Sequence, residues 1–355
     1  MLFAQSLCVP VLVMASSATT KAILSEKKFE PVSQNERTKG VKYLVDGTPN
    51  LVSLPLLYAL PSPKCPKPAT DASIPVIDLS GLNGSDDQKR SLTIKEIGSA
   101  CEEWGFFQVK NHGVKISLME EMVKAVEEFF NLPLEEKNKY ASNDVMDPVR
   151  YGTGLNTPAK HTPACCKEIL GGGAISESLG LSKDYIERSL GQGCQIVANN
   201  YYPPCPEPDR TLGISPHSDH GGLTILMQND VDGLQIKHGE DWVAVRYVPS
   251  TFVVNLGDYL EILSNGKYKS VEHRGVVNKE KTRISIAVGH GPELTATVAP
   301  APPLISDNRA QFKPIMYKDY MKIQQSSVVR GKTPLEAILI NGDDISLLSK
   351  ISCSR

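Results

Sequence analysis

Two histidines bracket an aspartate in His217-Ser218-Asp219-His220, and an apolar run, 221–226, follows them. In an extended chain residues i and i+2 share a face, so His217 and Asp219 are expected to project together while Ser218 and His220 turn away. That makes His217 a candidate metal ligand and His220 a decoy. His273, near a turn on a later extended run, is the best third ligand. His238, beside a hairpin tip, and His290, at a strand end, are weaker. Two imidazoles and one carboxylate on one face of an octahedral ion leave three adjacent positions open. This suits non-haem Fe(II), which must bind a co-substrate and oxygen together. A His-x-Asp pair also arises by chance, and a hydrogen-bonded core histidine fits the spacing equally well.

Arg283 follows His273 by ten residues, in Thr282-Arg-Ile-Ser-Ile-Ala-Val288. Alternation puts Arg283 and Ser285 on one face and Ile284, Ile286 and Val288 on the other. An arginine aimed into a β body is costly unless it meets an anion. No acidic residue of the same stretch could serve, and a guanidinium beside a hydroxyl suits a bidentate grip on a carboxylate. An edge-strand arginine in solvent is the alternative.

The elements that must position these residues follow from periodicity. The run 74–82 reads as a strand, 91–105 as a helix stopped at Gly105, 106–114 as a strand, and 116–133 as an amphipathic helix ended by Pro133. His112, in an Asn-His-Gly turn, reads as structural, and His161 as a surface residue. The three glycines 171–173 are expected to break a helix, and Tyr-Gly-Thr-Gly at 151–154 lacks the frame of a phosphate loop. Beyond 194, short β-rich runs separated by turns such as 239–241, 265–266 and 278–280 indicate a sandwich, jelly roll or barrel. Residues 313–325 read as a helix packed on that body. No repeat is visible.

Composition sets the outer bounds. The chain of 355 residues is 41% hydrophobic and 22% charged, with a formal net charge of −2. That is a globular balance that offers nothing to nucleic acid or to an anionic membrane. The eight cysteines, at 8, 65, 101, 165, 166, 194, 205 and 353, show no CxxC spacing. They read as scattered thiols of a reducing compartment, so a cytoplasmic protein is expected, with a monomer as the default. The apolar start is a poor signal peptide, without Lys or Arg before its apolar run and with a proline inside it. Met14 is an equally good start, and no run is long enough to span a membrane.

Taken together, Asn200-Tyr-Tyr-Pro-Pro-Cys-Pro206, His217-Ser-Asp219, the stretch 253–288 with His273 and Arg-Ile-Ser, and 74–82 with 101–114 closely resemble plant 2-oxoglutarate- and Fe(II)-dependent dioxygenases. The likeness covers roughly residues 40–340, and within the superfamily it is nearest the specialised-metabolism branch that includes salicylate, hyoscyamine and flavonoid oxidases. It implies an α+β fold with a double-stranded β-helix, or jelly-roll, core and flanking helices. The parts would be an arm at 1–72, a helical and β region at 73–180, a jelly roll at 194–295 and a helical segment at 296–355. It implies His217, Asp219 and His273 as iron ligands. It also implies Arg283, Ser285 and Tyr202 around the far carboxylate of 2-oxoglutarate, with Asn200 near the co-substrate. Fe(II), 2-oxoglutarate and O2, supported by ascorbate, would serve to hydroxylate or desaturate a small phenolic or flavonoid-like plant metabolite, with release of succinate and CO2. Tyr151 and Tyr317 are candidate substrate contacts.

The sequence departs from the family pattern after Asn156, where an aromatic-rich stretch and a Pro-rich loop of the substrate wall are missing. A catalytically impaired jelly-roll binding protein is therefore an alternative. A zinc hydrolase built on the same three ligands is another, although it leaves Arg283, Ser285 and Tyr202 without a role.

Overall fold

The computed structural model describes residues 40–47, 52–55, 58–60, 73–141, 149–151, 172–191, 193–306, 309–326 and 333–340. His161, the adjacent Cys165 and Cys166, and the shortened stretch after Asn156 lie outside them, as does most of the 1–72 arm.

From the N-terminus come helix α1 (Gly40–Gly47), strand β1 (Val76–Asp78), helix α2 (Asp87–Glu103) and strand β2 (Phe106–Lys110). Helices α3 (Ile116–Asn131), α4 (Leu134–Asn138), α5 (Gly172–Ser178) and α6 (Tyr185–Leu190) follow. The β-rich part contains β3 (Cys194–Tyr202), β4 (Ile214–His217), β5 (Leu223–Gln228), β6 (Leu234–His238), β7 (Asp241–Val245) and β8 (Phe252–Leu256). After helix α7 (Asp258–Leu263) come β9 (His273–Gly275) and β10 (Arg283–Gly291). A ribbon of β11 (Thr297–Val298) and β12 (Ile315–Met316) leads into helices α8 (Tyr317–Ser326) and α9 (Thr333–Glu336).

Local chemistry explains the helices. The Asp86 side chain caps α2 by accepting from the Lys89 amide at 3.0 Å. Helix α3 buries Met119, Val126 and Phe130 along one stripe and stops short of Pro133. Gly172 and Gly173 open α5, and the residues just before them lie outside the described ones. Asn265 and Gly266, both at positive φ, form the expected turn between β8 and β9, where they lead the chain out of α7.

Two sheets face each other as a jelly roll. The larger has the order β1-β2-β8-β5-β10-β3 and the smaller β4-β9-β6-β7. The β1–β2 pair is parallel, and the pairings β2–β8, β8–β5, β5–β10 and β10–β3 are antiparallel. Alternation sorts the large sheet's residues. Ile225, Met227, Val254, Leu256, Ile284 and Ile286 join the main core, which also holds Ile97 of α2, Val126 and Phe130 of α3, Ile175 of α5 and Ile186 of α6. Burying each such side chain contributes about 1.5–3 kcal/mol. On the inner face, Phe106 and Val253 pack against Leu234, Ile236, Val243 and Val245 of the small sheet. The rest of that inner space is a cavity of about 220 Å³.

Candidate metal centre

His217 ends β4 and His273 begins β9, and the two residues are register partners in the small sheet. Asp219 follows in the turn between β4 and β5, and ligand atoms of all three lie within 4.8 Å of one another. Asp219 Oδ1 is 3.8 Å from Nε2 of His217 and 3.8 Å from Nε2 of His273. Each ring is oriented from behind: His217 Nδ1 meets the Ser215 carbonyl at 2.8 Å and His273 Nδ1 the Val271 carbonyl at 3.1 Å. A carbonyl partner assigns the proton to Nδ1 and leaves Nε2 as a lone-pair donor. The other carboxylate oxygen of Asp219 is occupied, accepting from Thr224 Oγ1 at 2.6 Å and Asn255 Nδ2 at 2.8 Å. One carboxylate oxygen and two imidazole nitrogens therefore converge, a donor set that fits a divalent transition metal.

Electrostatics agree with that reading. Burial, reinforced by the His273 ring and opposed by Asp219, pulls the His217 imidazole down to about 4. Burial alone would raise the Asp219 carboxyl. The two imidazoles and the bonds from Thr224 and Asn255 outweigh it and hold the group below the usual carboxylate range.

The same cavity reaches Arg283 at the start of β10. Cross-strand pairing places Tyr202 opposite Arg283, and Asn200 and Gln228 on either side of Ser285. The guanidinium is buried, and burial pulls its pKa below the ordinary value. It donates to Gln228 Oε1 at 2.8 Å and to Ser285 Oγ at 3.4 Å, and it stands over the Tyr202 ring at 5.1 Å. Its Nε has no hydrogen bond, and no carboxylate pairs with it among the described residues. Asn200 Nδ2 donates to Ser285 Oγ at 3.4 Å. A buried cation surrounded by neutral donors and acceptors is a ready seat for an anion.

His220 is not among the three clustered ligands, as expected, but it does not turn away from the site. Strand β4 ends at His217, so alternation does not extend through the turn, and the His220 ring lines the cavity while its Nδ1 meets the Tyr317 hydroxyl at 2.5 Å. Tyr317 is buried in the layer behind that wall. Tyr151 packs in the helical core, its ring 6.1 Å from that of Phe129. Neither tyrosine lines the cavity. His112 is structural, bonded to the Ser250 carbonyl and packed on Phe252. His238 stacks on Trp104, whereas His290 does line the cavity. Thr224, Gln228 and Asn255 escaped notice in the sequence because each is an ordinary polar residue at the end or middle of an apolar run.

The profile of the 2OG-Fe(II) oxygenase superfamily matches residues 193–292, and that of the non-haem dioxygenase in morphine synthesis N-terminal region matches 74–180. The 2-oxoglutarate-dependent dioxygenase 19 of Oryza sativa subsp. japonica is 41% identical over 305 residues, covering 75% of this chain and 90% of the rice protein. The flavonoid 7-O-demethylase 1 of Ocimum basilicum is 36% identical, covering 75% of this chain and 82% of its own. Among solved structures, JOX2 in complex with 2OG, Fe and JA superposes with a TM-score of 0.68 at 31% identity, over 88% of this chain and 99% of JOX2. A jelly roll, a two-histidine, one-carboxylate cluster and relatives of this coverage lead to one conclusion: the chain belongs to the 2OG-Fe(II) oxygenase superfamily, an oxidoreductase family that works with Fe(II) and 2-oxoglutarate.

Proposed function

We propose that the protein hydroxylates or desaturates a small phenolic or flavonoid-like plant metabolite while 2-oxoglutarate is decarboxylated to succinate. The observation that carries this is Arg283, a buried guanidinium without a carboxylate partner in the cavity that also holds His217, Asp219 and His273. The flavonoid demethylase of Ocimum basilicum and the codeine O-demethylase of Papaver somniferum support an aromatic substrate.

His217 Nε2, His273 Nε2 and Asp219 Oδ1 hold Fe(II), and Thr224 and Asn255 keep Asp219 turned toward it. The iron, when bound, supplies oxygen activation coupled to oxidation of 2-oxoglutarate. Arg283 grips the far carboxylate of 2-oxoglutarate through its guanidinium, assisted by Ser285 and the Tyr202 hydroxyl, and Asn200 orients Ser285. Phe106, Ile214, Leu226 and Leu234 keep the chamber apolar, so charges inside it act at full strength.

A shortened wall after Asn156 is part of this reading. The alignment with the rice relative spans 305 residues but covers 75% of a 355-residue chain, so several dozen aligned positions have no counterpart here. All the metal and co-substrate residues lie C-terminal to that stretch, which favours a working enzyme with a reshaped pocket over the impaired alternative. The test is turnover of a metabolite library with Fe(II), 2-oxoglutarate and ascorbate, read by succinate formation and product mass. One or more aromatic substrates should give a product 16 mass units heavier (~16 for one oxygen) or two hydrogens lighter, with His217→Ala inactive. Activity that survives His217→Ala would overturn the metal assignment.

A further inference from the structure

The cavity has two ends, and β10 measures the distance between them. Its inner face carries Arg283, Ser285, Ala287, Gly289 and Gly291. At about 3.4 Å per residue, Gly289 lies about 20 Å along the strand from Arg283. Asp219 is bonded to Thr224, and Thr224 pairs with Gly289. Cys194, His220, His290 and Gly291 therefore line the end beyond the metal cluster, away from Arg283.

Two features of this end point to a ligand. Gly289 has no positive φ, and a Cβ placed on it would meet only Thr224 Oγ1 at 3.7 Å and the Ile196 carbonyl at 4.0 Å. Neither backbone nor packing calls for glycine there, although a glycine inside a strand weakens it. Such a residue marks the close approach of something else. Gly291 differs, because a Cβ there would come within 2.5 Å of the Tyr317 hydroxyl. That close approach lets Tyr317 reach His220.

His220 is the second feature. Its Nδ1 is taken by the Tyr317 hydroxyl at 2.5 Å, and its Nε2 has no protein partner among the described residues. The phenol also touches Cys194. A phenol is protonated at neutral pH, and sulfur is a weak acceptor, so the phenolic proton goes to Nδ1. In that tautomer the imidazole proton sits on Nε2, which is not sealed from the cavity and is then a donor.

We propose that the substrate is a flat ring compound that lies over Gly289 with a carbonyl or carboxylate oxygen accepting from His220 Nε2–H. Tyr317 is the positioning residue that fixes the tautomer. The proposal rests on the oxygenase reading above and names the substrate chemistry of that site.

Anaerobic calorimetry on the full chain loaded with Fe(II) and 2-oxoglutarate tests it, using paired probes with and without the oxygen: flavanone and flavan, coumarin and 2H-chromene, cinnamate and propenylbenzene. At least one carbonyl member should bind about tenfold tighter than its partner, the worth of one well-made hydrogen bond. That preference should vanish in His220→Leu, shrink in Tyr317→Phe and return in part in His220→Gln, whose amide restores a donor. Gly289→Val should weaken both members by filling the seat. Near-UV circular dichroism establishes that each variant is folded. If no pair shows the preference in the wild type, or if it survives His220→Leu, or if Gly289→Val binds like the wild type, the proposal is wrong. Failure of the oxygenase reading would show separately, as absence of 2-oxoglutarate binding to the wild type.

Discussion

His217 is a neutral base built into a closed site, and that has a cost that pH reveals. Its imidazole falls from an ordinary 6.5 to about 4 because of burial and the nearby His273 ring, against the attraction of Asp219. Between those values the unfolded chain takes up a proton that the native site refuses. The stability linked to this group is full above pH 6.5 and is lost as pH falls toward 4. Metal-free protein should lose roughly 2 kcal/mol through this residue between pH 8 and pH 5. Urea unfolding of wild type and His217→Gln at both pH values measures it, the variant showing the smaller drop. Thr224 and Asn255 have a different part, holding the far oxygen of Asp219. Thr224→Val should weaken Fe(II) binding by about 10- to 100-fold without unfolding the protein, as measured by competition with a chromophoric chelator.

The turn that carries Asp219 is fixed by the elements beneath it. Asp258 opens α7, donates its amide to the Asp219 carbonyl at 2.7 Å and is itself fully buried. Its carboxylate accepts from Ser218 at 3.2 Å, from Ser270 at 2.6 Å and from Tyr320 of α8 at 2.6 Å. Gln324, one turn further along α8, donates to the Ser218 carbonyl at 3.4 Å. Tyr320→Phe leaves a buried carboxylate short of a donor and should cost about 1–3 kcal/mol in urea unfolding. Asp258→Ala, which leaves three hydroxyls without their acceptor, should cost more. Little of this was legible in the sequence. Alternation in the 283–288 run separated Arg283 and Ser285 from the core isoleucines because β10 is a regular strand with one dry face. The same rule rightly set His220 apart from the metal ligands but not from the cavity, because the chain leaves the strand at His217. Gln228 meets Arg283, Asn255 meets Asp219 and Asp258 meets Tyr320 across 55, 36 and 62 residues of sequence, and no local period encodes such a meeting.

At the scale of the molecule, two sheets enclose one chamber with the Arg283 guanidinium at one end, the His217, Asp219 and His273 side chains within it and a glycine-floored recess beyond. Such a chamber is completed by its ligands, so stability should follow them. With Mn(II) or Fe(II) present, 2-oxoglutarate at a hundredfold over its Kd should stabilise the wild type by about 2.7 kcal/mol and leave Arg283→Leu unmoved in thermal denaturation. No helix among the described residues is long and apolar enough to cross a membrane. The account stands or falls on the joint action of the two ends of the chamber. Anaerobic calorimetric titration of 2-oxoglutarate into the protein, with and without Fe(II), addresses that most directly. The account predicts one saturable site that needs the metal, with affinity lost in His217→Ala and reduced more than about tenfold in Arg283→Lys, where the bidentate fork is gone. Binding that is indifferent to the metal, or equally tight in Arg283→Lys, would contradict it.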